Sequence, residues 1–107
     1  MATFNGTSAN NKIYGTSAVD LIRGLGGNDY LAGQAGNDTI EGGIGADKLD
    51  GGTGNDILRG GDGKDFVGGG AGDDKLYGDA GDDYLWDTTG FDQLFGGAGN
   101  DRLALST

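Results

Sequence analysis

Along this chain one apolar side chain returns at every ninth residue, and most of what lies between is small or polar. Ile13, Ile22, Leu31, Ile40, Leu49, Leu58, Val67, Leu76, Leu85, Leu94 and Leu103 keep the spacing without insertion or deletion, and Phe4 extends it one step towards the N-terminus. Counting a glycine as position one, each unit holds six mostly turn-forming residues and then three with the aliphatic residue at their centre, position eight. Glycine supplies positive φ and allows close backbone approach. The pattern therefore predicts a tight turn followed by a very short strand in every unit. A fixed period of this kind predicts a solenoid, in which each unit buries its apolar residue only against its neighbours.

The frame runs from Gly6 to Ala104, 99 residues or eleven units of nine. Position six is Asn11 and then Asp20, Asp29, Asp38, Asp47, Asp56, Asp65, Asp74, Asp83, Asp92 and Asp101. Position four is Ala9, Ala18 and then glycine throughout, while position one is glycine except at Asp87. In this layout residues 1–107 form a single domain, with units over 6–104, a partial unit at 1–5 and a tail at 105–107.

The pattern G-G-x-G-x-D-x-U-x, with U aliphatic, resembles the repeats-in-toxin (RTX) calcium-binding nonapeptide, the hemolysin-type repeat, which is a known sequence signature of its own. The resemblance covers residues 6 to 104. It implies an all-β fold, a right-handed parallel β-roll with two units per coil and about 5.5 coils here. Units n and n+2 then stack on the same side, 18 residues apart.

The resemblance also implies a calcium ion between stacked turns. Its ligands would be carbonyls of positions two and four and the position-six aspartate of one turn, with carbonyls of positions one and three and the aspartate of the next. One such site would be Gly43, Gly45 and Asp47 with Gly60, Asp62 and Asp65. Across the chain the position-four carbonyls would come from Gly27, Gly36, Gly45, Gly54, Gly63, Gly72 and Gly81, and the position-two carbonyls from Gly43, Gly52, Gly61 and Gly70. Position one would contribute Gly42, Gly51, Gly60, Gly69, Gly78 and Gly96. Oxygen donors of this kind suit calcium, which takes six to eight hard ligands, and offer no soft atom to zinc or copper.

Nine turns from Gly24 to Gly96, each paired with the next but one, give about seven ions, at most nine. Thr7, Ala9, Asn11, Thr16 and Ala18 break the pattern, so sites using Asp20 with Asp38, or Asn11 with Asp29, are expected to be defective. Asp87, Thr88 and Thr89 interrupt it again, which places the Asp74 to Asp92 site in question.

Charge changes the picture in the same direction. The net charge is −10, and there is no cysteine, histidine or proline. Of the 17 acids ten occupy position six, and the remaining seven match seven Lys plus Arg, so the net charge resides in the repeat. Nucleic acid and anionic membrane are excluded as natural partners by repulsion, and no apolar run is long enough to span a bilayer. MATFNG lacks the basic start and apolar stretch of a secretory signal. One buried aliphatic residue in nine is a small offset to the backbone entropy of a chain with 26 glycines. The chain is therefore expected to be largely disordered without calcium and to fold on binding it. Asp62, Asp73, Asp79, Asp82 and Asp87 add negative charge to the later turns, so tighter sites are expected in the C-terminal half.

With n and n+2 stacked, Lys12, Tyr30, Lys48, Phe66, Tyr84 and Arg102 share one outer column. The opposite face carries Arg23, Glu41, Arg59, Tyr77 and Phe95. The first column reads as a packing and cation–π ladder. Tyr30, Phe66, Tyr84 and Trp86 are also candidates for a carbohydrate or cell-surface binding face. The open last strand, with Phe91 and Phe95 near it, suggests end-to-end self-association or a missing neighbouring domain. An enzyme is not expected: the carboxylates are assigned to calcium, and Ser8, Ser17 and Ser106 have no partner base. No GK[ST] follows the glycines, and Glu41 is the only glutamate, so phosphate loops and EF-hands also fail. Membership of the resembled family further implies type I export to calcium-rich surroundings, as a fragment or accessory module of a larger secreted protein.

Overall fold

The computed structural model describes residues 2–105; Met1 and the end of the predicted tail, Ser106 and Thr107, lie outside the described residues. Each nonapeptide contributes one strand. These are β1 (Ala2–Asn5), β2 (Lys12–Tyr14), β3 (Asp20–Arg23), β4 (Tyr30–Ala32), β5 (Thr39–Glu41) and β6 (Lys48–Asp50), followed by β7 (Ile57–Arg59), β8 (Phe66–Gly68), β9 (Lys75–Tyr77), β10 (Tyr84–Asp87), β11 (Gln93–Phe95) and β12 (Arg102–Leu105). Odd strands form one six-stranded sheet in the order β1-β3-β5-β7-β9-β11, and even strands form a second. All pairs are parallel, with partners 18 residues apart: Leu31 opposite Leu49, Ile40 opposite Leu58. The all-β solenoid is as the repeat implied, and the two-unit coil as the family resemblance implied. Twelve strands make about six turns rather than 5.5, because the partial unit around Phe4 forms β1 and pairs with β3.

Alternation along each three-residue strand sends position eight inward and positions seven and nine outward. Ile22, Leu31, Ile40, Leu49, Leu58, Val67, Leu76 and Leu85 are fully buried in a single core between the two sheets. At the ends of the described strands a coil stacks on one side only. Phe4, Ile13 and Leu94 are partly buried, and Leu103 is 50 % exposed.

The turns need left-handed backbone at positions two and four, as at Gly43 (φ 89°) and Gly45 (φ 116°). The reason is spatial as well as torsional. A Cβ on Gly43 would collide with the carbonyl of Leu25, and one on Gly45 with that of Gly27. Leu25, Gln34 and Asp79 stand at position two with φ of 71°, 74° and 67°, a conformation costing an L-residue roughly 1–2 kcal/mol.

Candidate metal centre

Stacking sorts the position-six residues into two columns. Asp29, Asp47, Asp65, Asp83 and Asp101 rise above Asn11 on one side, and Asp20, Asp38, Asp56, Asp74 and Asp92 on the other. From Asp29 onward each Oδ1 accepts the backbone N–H of the residue 18 earlier: Asp47 donates to Asp65 and Asp56 to Asp74 at 2.8 Å, Asp83 to Asp101 at 2.9 Å. The other oxygen is left over. Oδ2 of Asp29, Asp38, Asp47, Asp56, Asp65, Asp74 and Asp83 is buried with no hydrogen-bond partner. A buried acceptor left unpaired costs about 1–3 kcal/mol, and a charged one more. Seven repetitions of that cost call for a cation.

The backbone completes the arrangement. A Cβ built on Gly42 would lie 2.5 Å from the carbonyl of Gly60 and 2.7 Å from Asp47 Oδ2. The same convergence recurs at Gly51, at 2.6 Å from both Gly69 O and Asp56 Oδ2, and at Gly78, at 2.7 Å from Gly96 O and 2.6 Å from Asp83 Oδ2. From the turn below, the carbonyls of Gly43 and Gly45 face the Cα atoms of Gly61 and Gly63. Asp62 O accepts the N–H of Gly45 at 3.0 Å. The carbonyls and carboxylates of these stacked turns are hard oxygens of the kind calcium takes. Glycine at position one keeps open a cradle that any side chain would fill.

Desolvation dominates the electrostatics. Burial, reinforced by neighbouring carboxylates and opposed by the backbone hydrogen bond, pushes Asp38, Asp47 and Asp83 up to about 6. Asp56 and Asp65, in the middle of the columns, are pushed up to about 8 for the same reasons. Stacked aspartates in a low-dielectric gap cannot all carry charge without a counter-ion. The ladder is consistent with calcium between turns.

Three features escape the nonapeptide pattern. Asp20 is buried but satisfied: Thr16 donates its N–H to Oδ2 at 2.6 Å and its hydroxyl to both oxygens at 3.0 Å. These bonds, the backbone one foremost, hold Asp20 below the usual carboxylate value. Thr7 and Asn11 repeat the arrangement one coil end lower, at 2.8 Å. The first two units thus use threonine where later units leave an oxygen open.

The second feature is an outer ladder at position five. Asn28 N donates to Asn10 Oδ1, Asn55 N to Asn37 Oδ1 and Asp73 N to Asn55 Oδ1, at 2.7–2.9 Å. Its sequence signal, recurrent Asn or Asp just before the position-six aspartate, was available. The third feature is Asp87, whose carboxylate is buried rather than solvated.

The outer columns follow the expected register. Lys48 Nζ stands 5.6 Å over the ring of Tyr30, which meets Tyr14 edge-on at 5.9 Å. Phe66 meets Tyr84 edge-on at 6.1 Å, and Tyr84 stacks on Trp86 at 5.6 Å. Trp86 covers the bare Cα of Gly68. On the other sheet Arg23 pairs with Glu41 at 3.3 Å, Arg59 lies 4.5 Å over Tyr77, and Tyr77 stacks on Phe95 at 5.0 Å. Phe91 is 89 % exposed in a turn.

Compared with known proteins, the chain matches the family described as RTX calcium-binding nonapeptide repeat (four copies) over residues 5–40, 41–76 and 77–106. No curated protein and no solved structure is matched.

Proposed function

Because the chain belongs to the RTX calcium-binding nonapeptide repeat family, we propose that it is a calcium-folded module of a secreted protein, with residues 6–104 acting as one cooperative unit. The observation that carries this is the file of buried, unpartnered Oδ2 atoms at position six. Each would face an ion between units n and n+2, held by the aspartates of both units and by the carbonyls around the position-one cradle. Seven such oxygens support about seven ions, beginning at Asp29 and leaving Asp20, satisfied by Thr16, outside the first complete site. When bound, calcium supplies positive charge where burial otherwise disfavours the carboxylates. The chain's own residues orient the oxygens and exclude water.

In calcium-poor cytoplasm such a chain would stay extended enough for export, and outside the cell it would fold. Calorimetry and far-ultraviolet circular dichroism on one preparation test this. Close to seven ions with a steep gain of β signal is the expected result. One or two ions without folding, or a spectrum indifferent to chelator, would refute it.

A second reading, binding of a sugar chain, is favoured by the contiguous rings of Phe66, Tyr84 and Trp86 on the outer face of the even-strand sheet, which carries Tyr30 two strands further along. Such a face offers stacking surface to pyranose rings. Glycan arrays probed with the calcium-loaded chain, and with Phe66 and Tyr84 changed to Ala, separate this from a bare scaffold. Equal signals from both would dismiss it.

A further inference from the structure

The acids of the later turns divide by where their side chains go. Asp62, Asp73 and Asp82 are exposed and Asp79 is half-buried, whereas Asp87 is 1 % exposed. Asp87 occupies position one of its unit, where the other ten units have glycine. It is the last residue of β10, and its carboxylate lies in the gap between the turns of units 69–77 and 87–95. Oδ1 accepts the N–H of Thr88 at 2.9 Å. Oδ2 is buried and has no partner, as is Asp74 Oδ2.

Both orphan oxygens converge on the bare Cα of Gly69. A Cβ there would collide with Asp87 Oδ2 and lie 2.6 Å from Asp74 Oδ2. At Gly42, Gly51 and Gly78 the equivalent place holds the position-one main-chain carbonyl from 18 residues later. The ladder bond beside the carboxylate is longer too: Gly69 N to Trp86 O is 3.3 Å, against 2.9 Å at Gly51 and 2.8 Å at Gly60 and Gly78. Asp74, Asp87 and Asp92 each place one carboxylate oxygen within 4.8 Å of the others, a triad of acids that recurs nowhere else among the described residues.

We propose that Asp87 is a third carboxylate ligand to the ion held between these two turns, and that this gap is the tightest cation site of the roll. The inference rests on the calcium reading above. Gaps in the middle of the columns, such as that of Asp47 with Asp65, have two position-six aspartates, each shared with the next gap along its column. Asp87 gives its charge to one gap and shares it with none. Affinity of oxygen sites for calcium rises with ligand charge, and three carboxylates also favour a trivalent over a divalent ion. The substitution that interrupts the repeat thereby strengthens the site it interrupts.

The chain carries its own reporter, because its single tryptophan, Trp86, is the sequence neighbour of Asp87. Terbium luminescence excited through Trp86, then displaced by calcium, reads this gap in the whole chain. The expected result is that the site fills at the lowest terbium, and that Asp87→Asn and Asp87→Gly each weaken terbium and calcium there about tenfold. Asp87→Gly restores the position-one glycine and should leave the number of ions at saturation unchanged. Unaltered or tighter binding in the variants would overturn the inference. If Asp87→Gly does not fold with calcium, Asp87→Asn, which keeps the acceptor for Thr88, decides by the same displacement. Should the unsubstituted chain neither bind calcium nor gain β structure with it, the calcium reading itself fails. Should it fold while the variants bind as before, the third ligand alone is lost.

Discussion

Sharing of aspartates between gaps is the feature of this roll most open to quantitative attack, and Asp65→Asn against Asp101→Asn tests it. Asp65 is fully buried; its Oδ1 accepts the N–H of Asp47 at 2.8 Å, and its unpartnered Oδ2 lies against Gly60. The first oxygen faces the gap below and the second the gap above. Asp101 accepts the N–H of Asp83 at 2.9 Å, and among the described residues no further turn stacks above it. Asparagine keeps the acceptor and the volume in both cases and removes only charge. Taking about tenfold per site for loss of one carboxylate charge, or about 1.4 kcal/mol, Asp65→Asn should weaken calcium-dependent folding by about 2.8 kcal/mol, twice the effect of Asp101→Asn. Calorimetry should show two weakened sites for the first variant and one for the second, with the circular dichroism midpoint moving to higher calcium in proportion. Equal shifts in the two variants would refute the sharing of Asp65 between ions.

Three further outcomes follow from the same geometry. Leu58→Ala, at a fully buried core position with stacked neighbours Ile40 and Leu76, should cost about 2–5 kcal/mol of loaded-state stability by thermal melting in excess calcium. Leu25→Gly, at φ 71°, should raise that stability by about 1 kcal/mol. Gly54→Ala, at φ 105° and in collision with the Gly36 carbonyl, should lower it and weaken an ion.

The pH dependence has a definite sign. Burial pushes Asp56 and Asp65 up to about 8 from 3.8, so the metal-free roll binds protons that the unfolded chain releases. Their contribution to metal-free stability is fully present below 3.8 and lost as pH rises through about 8. Acidification from pH 8 to 5 should compact the metal-free chain by circular dichroism while raising the calcium needed for half-saturation. A metal-free chain that loosens on acidification would contradict this.

Much of the candidate site was legible because the period was unbroken. Position eight identified Leu31, Leu49 and Leu58 as core, and position six identified Asp47, Asp56 and Asp65 as the ladder, since a strict repeat places equivalent residues in equivalent surroundings. The exceptions were legible only as exceptions. Nothing local to Thr16 shows that it satisfies Asp20, and the position-five ladder through Asn37 and Asn55 joins residues 18 apart.

Asp87 shows the division most clearly. Its place at position one, its charge and its departure from glycine were determined by the sequence, as were the strand before it and the turn after it. Whether that carboxylate turned out to solvent or into the stack was decided in three dimensions, by the space that Gly69 leaves one coil below. A period states which residues share an environment, but the direction of a side chain that breaks the period depends on the room made by its neighbour across the stack.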